Sequence, residues 1–221
     1  MERHIQVQRT ARYHLLGSED GPVQEVWFVL HGYQQLAGRF INRFRALDDG
    51  TRRIVAPEAL SRFYTSQERG RHGPSAKVGA TWMTREDRGN EIRDYVAYLD
   101  ALADHVGGGP GTAARVTVLG FSQGVATAAR WVTLGRVRPS RLILWGDHTP
   151  PDLDMDRAAT ALDGVDLVLA RGRRDPVFEH GLGTEEIGRL GAAGIAYRLA
   201  EYDGGHDVDQ RLLAELAGTA T

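Results

Sequence analysis

The chain has 221 residues, of which 42% are hydrophobic and 25% charged, and its formal net charge is −2. These proportions are typical of one soluble α/β domain over residues 1–221, and the near-neutral charge favours neither nucleic acid nor an anionic membrane as a partner. The sequence has no cysteine, which excludes disulfides, thiolate metal sites and a cysteine nucleophile. No apolar run reaches the roughly 18 residues of a membrane span. The charged amino end lacks the apolar core of a signal peptide, so a cytoplasmic protein is expected.

Short apolar runs alternate with segments of helical periodicity along the whole chain. Strands are predicted over residues 5–16, 26–30, 53–56, 116–120, 141–145, 166–170 and 196–200. Helices are predicted at 40–47, 92–106, 125–132, 184–190 and 207–216, with Thr84 and Asp87 as the cap of the second. Residues 58–81 show little periodicity and are predicted to be a long irregular connection of the functional or mobile type. The alternation predicts an α/β fold with a mostly parallel central sheet and helices on both faces.

The segment Gly120-Phe-Ser122-Gln-Gly124 lies between a predicted strand and a predicted helix. A Gly-x-Ser-x-Gly pattern in this context forms a sharp turn that holds its serine in a strained backbone conformation. The two glycines let the strand and the helix pass without Cβ clashes. The start of the helix also points backbone N–H groups at any anion that forms there. Ser122 is therefore predicted to be a nucleophile, and the plainer alternative is a surface serine in a Gly-rich turn.

Polar residues directly follow the later predicted strands, at the sheet edge where ligands of parallel sheets bind. Asp147 and Asp175 each follow a strand, and His206 follows the last strand on a Gly-Gly turn. A serine hydroxyl needs an imidazole to take its proton, and a carboxylate orients that imidazole and stabilises its cation. We expect a triad of Ser122, Asp175 and His206, because Pro176 holds Asp175 in place. Asp147 is the alternative acid, and otherwise a loop acid near the pocket.

Two backbone N–H groups are needed to stabilise the oxyanion of acyl transfer. The predicted donors are the N–H of Gln123, directly after the nucleophile, and the N–H of Tyr33, in the loop after the second predicted strand. His31 is expected to brace that loop and to take no part in the chemistry. Four side chains are expected to line the substrate pocket, although each could lie in the core instead: Gln34, Gln35, Trp82 and Trp145.

Four segments of the chain match a known pattern in order. They are Leu30-His-Gly-Tyr-Gln, Gly120-Phe-Ser-Gln-Gly124, Gly172-Arg-Arg-Asp175-Pro and Gly204-Gly-His206. Together they resemble the phospholipase/carboxylesterase family, a compact α/β-hydrolase group that includes acyl-protein thioesterases. The resemblance covers essentially the whole chain. It implies the α/β-hydrolase fold, no cofactor, and hydrolysis of a small-molecule carboxylic ester or thioester by Ser122, Asp175 and His206. Val125, residues 145–148 and residues 58–81 depart from the family pattern, so the substrate is left open.

Other functions could use the same residues. A non-catalytic scaffold of this fold could bind a small ligand or a partner. An acyltransferase could use the same triad to pass the acyl group to an alcohol or amine. No metal site is expected, because Asp203, His206, Asp207 and Asp209 fit no familiar ligand spacing. The arginines within residues 62–71 and 171–174 could recognise an acidic group of the substrate, although such arginines more often form a solvated face.

Overall fold

Nine strands are present in the computed structural model, which describes residues 1–65, 72–178 and 182–218. They are β1 (Tyr13–Gly17), β2 (Glu25–Leu30), β3 (Arg52–Pro57), β4 (Ser61–Tyr64), β5 (Val78–Thr81), β6 (Arg115–Phe121), β7 (Arg141–Trp145), β8 (Asp166–Gly172) and β9 (Arg198–Tyr202). Seven of them form one sheet in the order β1-β3-β2-β6-β7-β8-β9, and β4 pairs with β5 separately. Only β1 runs antiparallel to its neighbour in the large sheet. The prediction of a mostly parallel central sheet is confirmed.

Helices cover both faces of this sheet. They are α1 (Ala37–Phe40), α2 (Arg88–His105), α3 (Gln123–Leu134), α4 (Met155–Ala161), α5 (Leu182–Ala192) and α6 (Gln210–Leu216), with 3₁₀ helices at Ile41–Leu47 and Pro176–Phe178. Side chains of β2 alternate between two apolar clusters, as the pleat of a strand buried on both faces requires. Val26 and Phe28 pack with α2 and α3 on one face, whereas Trp27 packs with α1, the adjoining 3₁₀ helix and α6 on the other.

The sheet has a topological switch point between β2 and β6, where the order of the strands reverses. From β2 the chain steps to β3 on one side, and from β6 it proceeds through β7, β8 and β9 on the other. In open α/β sheets such a switch point leaves a crevice at the carboxyl ends of the strands. His31 and Gly32 follow β2, and Ser122 follows β6. The two loops that were predicted to carry the chemistry therefore lie side by side.

Some predicted boundaries differ from those of the structure. The first strand covers only Tyr13–Gly17, because β3 offers partners only to these residues, and Ile5 and Val7 are exposed. The second predicted helix, α2, starts directly after Asp87 and not after Thr84. The N–H of Thr84 donates a hydrogen bond to the Glu91 side chain. The last strand lies two residues later than predicted.

Regular structure is present in two regions where the sequence predicted neither a strand nor a helix. Within residues 58–81, β4 and β5 form an antiparallel pair, so the prediction of an irregular connection is wrong for the described part; residues 66–71 lie outside it. The segment after Pro151 contains α4, whose N-cap Asp154 accepts a hydrogen bond from the N–H of Arg157. Capping by an aspartate satisfies a backbone donor of the first turn and stabilises a helix too short to be recognised by its periodicity.

Candidate active site

Ser122 occupies the turn between β6 and α3. Its backbone conformation, with φ 52° and ψ −123°, is one that residues other than glycine rarely adopt. Its N–H donates to the carbonyl of Trp145 on the neighbouring strand (2.9 Å), and its carbonyl accepts from the N–H of Val125 (2.8 Å). These two bonds hold the strained residue on both sides. Strain of this kind persists only where the surrounding structure enforces it, and it concentrates at functional sites.

The two glycines of the motif are required by close backbone contacts. A Cβ on Gly120 would lie 2.2 Å from the carbonyl oxygen of Gly124, and a Cβ on Gly124 would lie 2.4 Å from the carbonyl oxygen of Leu30. Both distances are far below any van der Waals contact. The glycines therefore allow the helix to start directly against the strand ends, which confirms the reason for which the motif was selected.

His206 and Asp175 form a partly buried hydrogen bond at the carboxyl ends of β8 and β9. The Nδ1 of His206 lies 2.8 Å from Oδ2 of Asp175, whose side chain is fully buried. The other carboxylate oxygen accepts from the N–H of Val177 (3.0 Å). An ionised carboxylate only accepts hydrogen bonds, so the ring hydrogen is on Nδ1. The Nε2 lone pair is then free to act as a base.

The imidazole of His206 lies beside the nucleophile turn. Its ring centroid is 5.0 Å from that of Phe121, the residue before Ser122. A Cβ on Gly146 would lie 3.4 Å from Nδ1 of His206, so the missing side chain at that position leaves room for the ring. Ser122 Oγ and His206 are not hydrogen-bonded in the structure. Catalytic hydrogen bonds of this type are often long without substrate and tighten when the complex forms.

Asp147, the alternative acid, faces a different partner. Its Oδ1 accepts a hydrogen bond from the N–H of His148 (2.8 Å), and no hydrogen bond joins it to His206. Burial raises the pKa of Asp147 above its ordinary value. The structure therefore places Asp175, and not Asp147, in the orienting position.

The Tyr33 N–H is held in place through the peptide bond that it shares with Gly32. The Ala59 N–H donates to His31 Nε2 (3.1 Å), so the ring hydrogen is on Nδ1 and is donated to the Gly32 carbonyl (2.8 Å). Burial lowers the pKa of His31, which keeps the ring neutral. The N–H and the carbonyl of a trans peptide point in opposite directions. The His31 ring thus fixes the direction of the Tyr33 N–H from behind.

Gln35 and Gln123 complete the support of this loop. The Gln35 side chain accepts from the Gly32 N–H (2.9 Å). The backbone N–H of Gln123 is the first of α3 and has no partner within the helix. The side chain of Gln123 donates to the Met83 carbonyl (2.9 Å) and accepts from the Trp82 N–H (3.0 Å), which ties the end of β5 to the nucleophile turn.

Neither a family model nor a curated protein matches this sequence, but many solved structures match its architecture. Acyl-protein thioesterase 2 of Zea mays superimposes with a TM-score of 0.68 at 18% identity, over 95% of this chain and 97% of that one. A carboxylesterase from Mesorhizobium loti gives 0.69 at 19% identity, over 94% and 93%. A phospholipase/carboxylesterase from Dyadobacter fermentans DSM 18053 gives 0.63 at 13% identity, over 97% and 98%.

The protein has the α/β-hydrolase fold. The expected fold class is confirmed, and Ser122 lies at the carboxyl end of β6, in the turn that leads into α3.

Two residues predicted as pocket walls serve this α/β-hydrolase scaffold in another way. Trp145 is fully buried, and its indole N–H lies within bonding distance of the Tyr202 hydroxyl (3.1 Å) and the Asp207 carbonyl (3.0 Å). The Trp82 indole, also buried, donates to the His31 carbonyl (2.8 Å) and packs against the His31 ring. Both assignments as pocket walls are corrected, because neither side chain faces open space. Gln34 and Gln35 do line a surface groove.

Sequence reasoning missed Tyr202, which supports the histidine loop of the hydrolase fold. Its hydroxyl lies 2.9 Å from the Gly205 carbonyl and 2.7 Å from the Asp207 carbonyl, on either side of His206. Tyr202 also packs against Trp145 with a centroid distance of 5.5 Å. The only available signal was an apolar aromatic at the end of a strand, which core packing explains equally well.

The described arginines among those suggested for acid recognition are already paired with carboxylates of this chain. Arg171 binds Glu186, Arg173 lies near Glu201 and Arg174 binds Asp203. Arg62 binds the buried Glu58, and Arg69 and Arg71 lie outside the described residues. Each of these arginines that the structure describes therefore already has a carboxylate partner within the chain.

Possible metal ligands do not gather at the site. Within the described ranges, the only group of three that could hold an ion is formed by the exposed residues Glu2, His4 and Asp87. Asp203, Asp207 and Asp209 do not converge with His206. None of the described helices is long and apolar enough to cross a membrane.

Proposed function

We propose that the protein is a serine hydrolase that cleaves carboxylic ester or thioester bonds of a small molecule. The observation that carries the proposal is the hydrogen bond of 2.8 Å between His206 and the buried Asp175, beside the strained Ser122 turn. The solved structures of similar fold include esterases, a carboxylesterase and an acyl-protein thioesterase, which agrees with this reaction class.

The first half of the reaction transfers the acyl group to Ser122. His206 Nε2 takes the hydroxyl proton while Oγ attacks the acyl carbon, and the Asp175 carboxylate stabilises the imidazolium that forms. The N–H groups of Tyr33 and Gln123 donate to the oxyanion of the tetrahedral intermediate. When the intermediate collapses, the bond to the alcohol or thiol breaks and His206 returns the proton to the leaving group.

The second half releases the acid. His206 takes a proton from a water molecule, whose oxygen attacks the acyl carbon on Ser122. The same two N–H groups stabilise the second oxyanion. Collapse breaks the bond to Oγ, which regains its proton from His206. No metal ion or redox cofactor is required by this sequence of steps.

The test is hydrolysis of p-nitrophenyl esters from acetate to decanoate. Ser122→Ala should lower kcat on the order of a million-fold, and stoichiometric labelling of Ser122 by a fluorophosphonate should disappear. Asp175→Asn should lower kcat on the order of ten-thousand-fold, because the imidazole is no longer held in the correct tautomer. Asp147→Asn is the matched control at the neighbouring strand end and should retain most of the activity.

Other outcomes support the alternative functions. Labelling of Ser122 without hydrolysis of any ester, together with acyl transfer to an added alcohol or amine, would indicate an acyltransferase. Neither labelling nor turnover would contradict catalysis and favour a binding scaffold.

A further inference from the structure

A small groove lies beside the candidate active site. It has a volume of about 200 Å³, and its walls include Gln34, Gln35, Arg39, Phe40, Arg43 and Val78. We call it the Arg39 groove. Of the seven residues that line the groove, two are arginines, two carry neutral amides and none is acidic. Its charge is therefore positive.

The walls of the Arg39 groove come from the segments that flank Ser122. On one side the Gln35 side chain accepts from the Gly32 N–H (2.9 Å), and a Cβ on Gly32 would lie 3.0 Å from the Cβ of Ser122. On the other side Arg43 donates to the carboxylate of Asp207 (2.9 Å), the residue that follows His206. A substituent a few atoms away from the scissile bond could therefore reach into the groove.

Buried aromatic packing connects one wall of the groove to the candidate active site. Phe40 packs against Phe121 with a centroid distance of 5.8 Å, and Phe121 packs against His206 at 5.0 Å. Both phenyl rings are buried, so this packing fixes the position of the groove wall relative to the ring of His206.

Arg39 is the available cation of this groove. Arg43 is already bonded to Asp207, and its guanidinium lies 5.9 Å from the centre of the Phe40 ring. In contrast, no acceptor among the described residues takes a hydrogen bond from the Arg39 side chain. Arg39 and Arg43 both line the groove, although they lie on α1 and on the 3₁₀ helix that follows it. A guanidinium without a partner can hold a carboxylate through two parallel hydrogen bonds.

We propose that the Arg39 groove binds an anionic group, such as a carboxylate, carried by the ester substrate. This inference rests on the proposed function and adds to it the chemical class of the substrate. The anionic group belongs to the acyl part or to the alcohol part of the ester, and both place a charge within reach of Ser122. Arg39 supplies the charge that determines specificity, whereas the charge of Arg43 is balanced by Asp207.

The test compares esters that differ only in charge. For the acyl part, mono-4-nitrophenyl glutarate is compared with methyl 4-nitrophenyl glutarate. For the alcohol part, 4-carboxyphenyl pentanoate is compared with 4-(methoxycarbonyl)phenyl pentanoate. The wild-type protein should show a higher kcat/KM for the anionic member of at least one pair. Because Arg39 is exposed, that preference should decrease as sodium chloride is added.

Substitution of Arg39 should abolish the preference. In Arg39→Gln, the ratio of kcat/KM between the anionic and the neutral ester should fall about tenfold, as expected for the loss of one charge-assisted contact. Arg39→Glu should reverse the preference, because it places a negative charge in the groove. Arg45→Gln is the matched control: Arg45 is exposed on the adjoining 3₁₀ helix, bonds Asn42 and does not line the groove.

The outcomes separate this inference from the proposed function. Ser122-dependent turnover with the same charge preference in wild type, Arg39→Gln and Arg39→Glu would overturn the groove assignment and leave the hydrolase intact. A complete absence of turnover and of Ser122 labelling would contradict the hydrolase itself, and the groove assignment with it. The pair that loses its preference in Arg39→Gln shows whether the acyl part or the alcohol part carries the charge.

Discussion

His31 takes no part in the proposed proton transfers, yet its ring connects two backbone segments behind the Tyr33 N–H, the proposed oxyanion donor. It accepts from the Ala59 N–H and donates to the Gly32 carbonyl, and it is fully buried. Its effect on catalysis would be indirect, through the direction of the Tyr33 N–H. A neutral imidazole is well suited to this role, because one nitrogen donates while the other accepts. A buried aliphatic side chain of similar volume could do neither.

His31→Leu should lower both stability and kcat. The buried Ala59 N–H loses its acceptor, which costs about 1–3 kcal/mol of unfolding free energy. Because the Tyr33 N–H would be held less firmly, kcat should fall roughly tenfold to a hundredfold. This fall should not exceed the roughly hundredfold to thousandfold loss of kcat that is typical when an oxyanion donor is removed. KM should change less. Urea denaturation and steady-state kinetics measure the two effects.

The control for this substitution is His105→Leu, at the exposed end of α2. It should leave kcat unaltered. If fully folded His31→Leu had the kcat of wild type, the His31 ring would not be what positions the Tyr33 N–H.

At the scale of elements, the close contact between β6, α3 and β2 depends on Gly120 and Gly124, which have no side chain. The glycines of the nucleophile turn bring backbone atoms of these three elements together at distances that exclude a Cβ. The sheet, α3 and the loop after β2 are thereby fixed relative to one another. The arrangement supports a rigid turn, in which the serine and the first N–H groups of α3 cannot move independently.

Gly124→Ala should destabilise the protein, because the new methyl group would meet the Leu30 carbonyl at 2.4 Å. Overpacking of this kind costs about 1–3 kcal/mol or more, and the forced separation of α3 from β2 should also lower kcat. Gly188→Ala is the matched control within α5, where an added Cβ meets nothing within 4 Å. Alanine there should stabilise the protein by about 0.5–1 kcal/mol, because it favours the helix. Equal stability of the two variants in thermal unfolding would show that the turn relaxes freely.

Over the whole molecule, buried carboxylates connect the edges of the sheet to the segments around them. Glu58, directly after β3, binds Arg12 before β1 and Arg62 on β4. Glu186 of α5 accepts from the Thr149 N–H (2.7 Å) and also contacts His148 and Arg171. Burial opposes the ionisation of both carboxyls, but the hydrogen bonds and positive charges around them outweigh it, and both pKa values lie below the ordinary value.

These pKa directions predict a loss of stability in acid. A carboxyl whose pKa is lower in the folded chain contributes stability that is complete above its unfolded pKa of about 4.5 and is lost as the pH falls through the folded value. The unfolding free energy should therefore decrease below about pH 4.5. The advantage of wild type over Glu58→Gln should be largest near neutral pH and should shrink in the same range.

Urea titrations from pH 7 to about pH 3 measure this dependence. Glu86→Gln, at an exposed position, provides the comparison and should follow the wild-type curve. A constant difference between wild type and Glu58→Gln over the whole range would mean that the ion pairs of Glu58 do not contribute through its charge.

The sequence by itself determined the features that depend on local pattern. Apolar runs of strand length predicted the parallel sheet, and the glycines around Ser122 predicted the nucleophile turn, because both follow from the sterics of neighbouring residues. The order of polar residues at strand ends also selected Asp175 and His206, which the structure brings to 2.8 Å. Their catalytic roles stay predictions until the variants are assayed.

The tertiary structure alone decided which side chains face the site and which support it. Trp145 bonds Tyr202, 57 residues away, and Trp82 bonds His31, 51 residues away. An aromatic residue in a strand or loop has the same local pattern whether it lines a pocket or lies in the core. The pairing of Arg171, Arg173 and Arg174 likewise depends on distant contacts, as does the lack of a partner for Arg39 among the described residues. Such contacts depend on how elements pack, and the periodicity of a single sequence does not encode them.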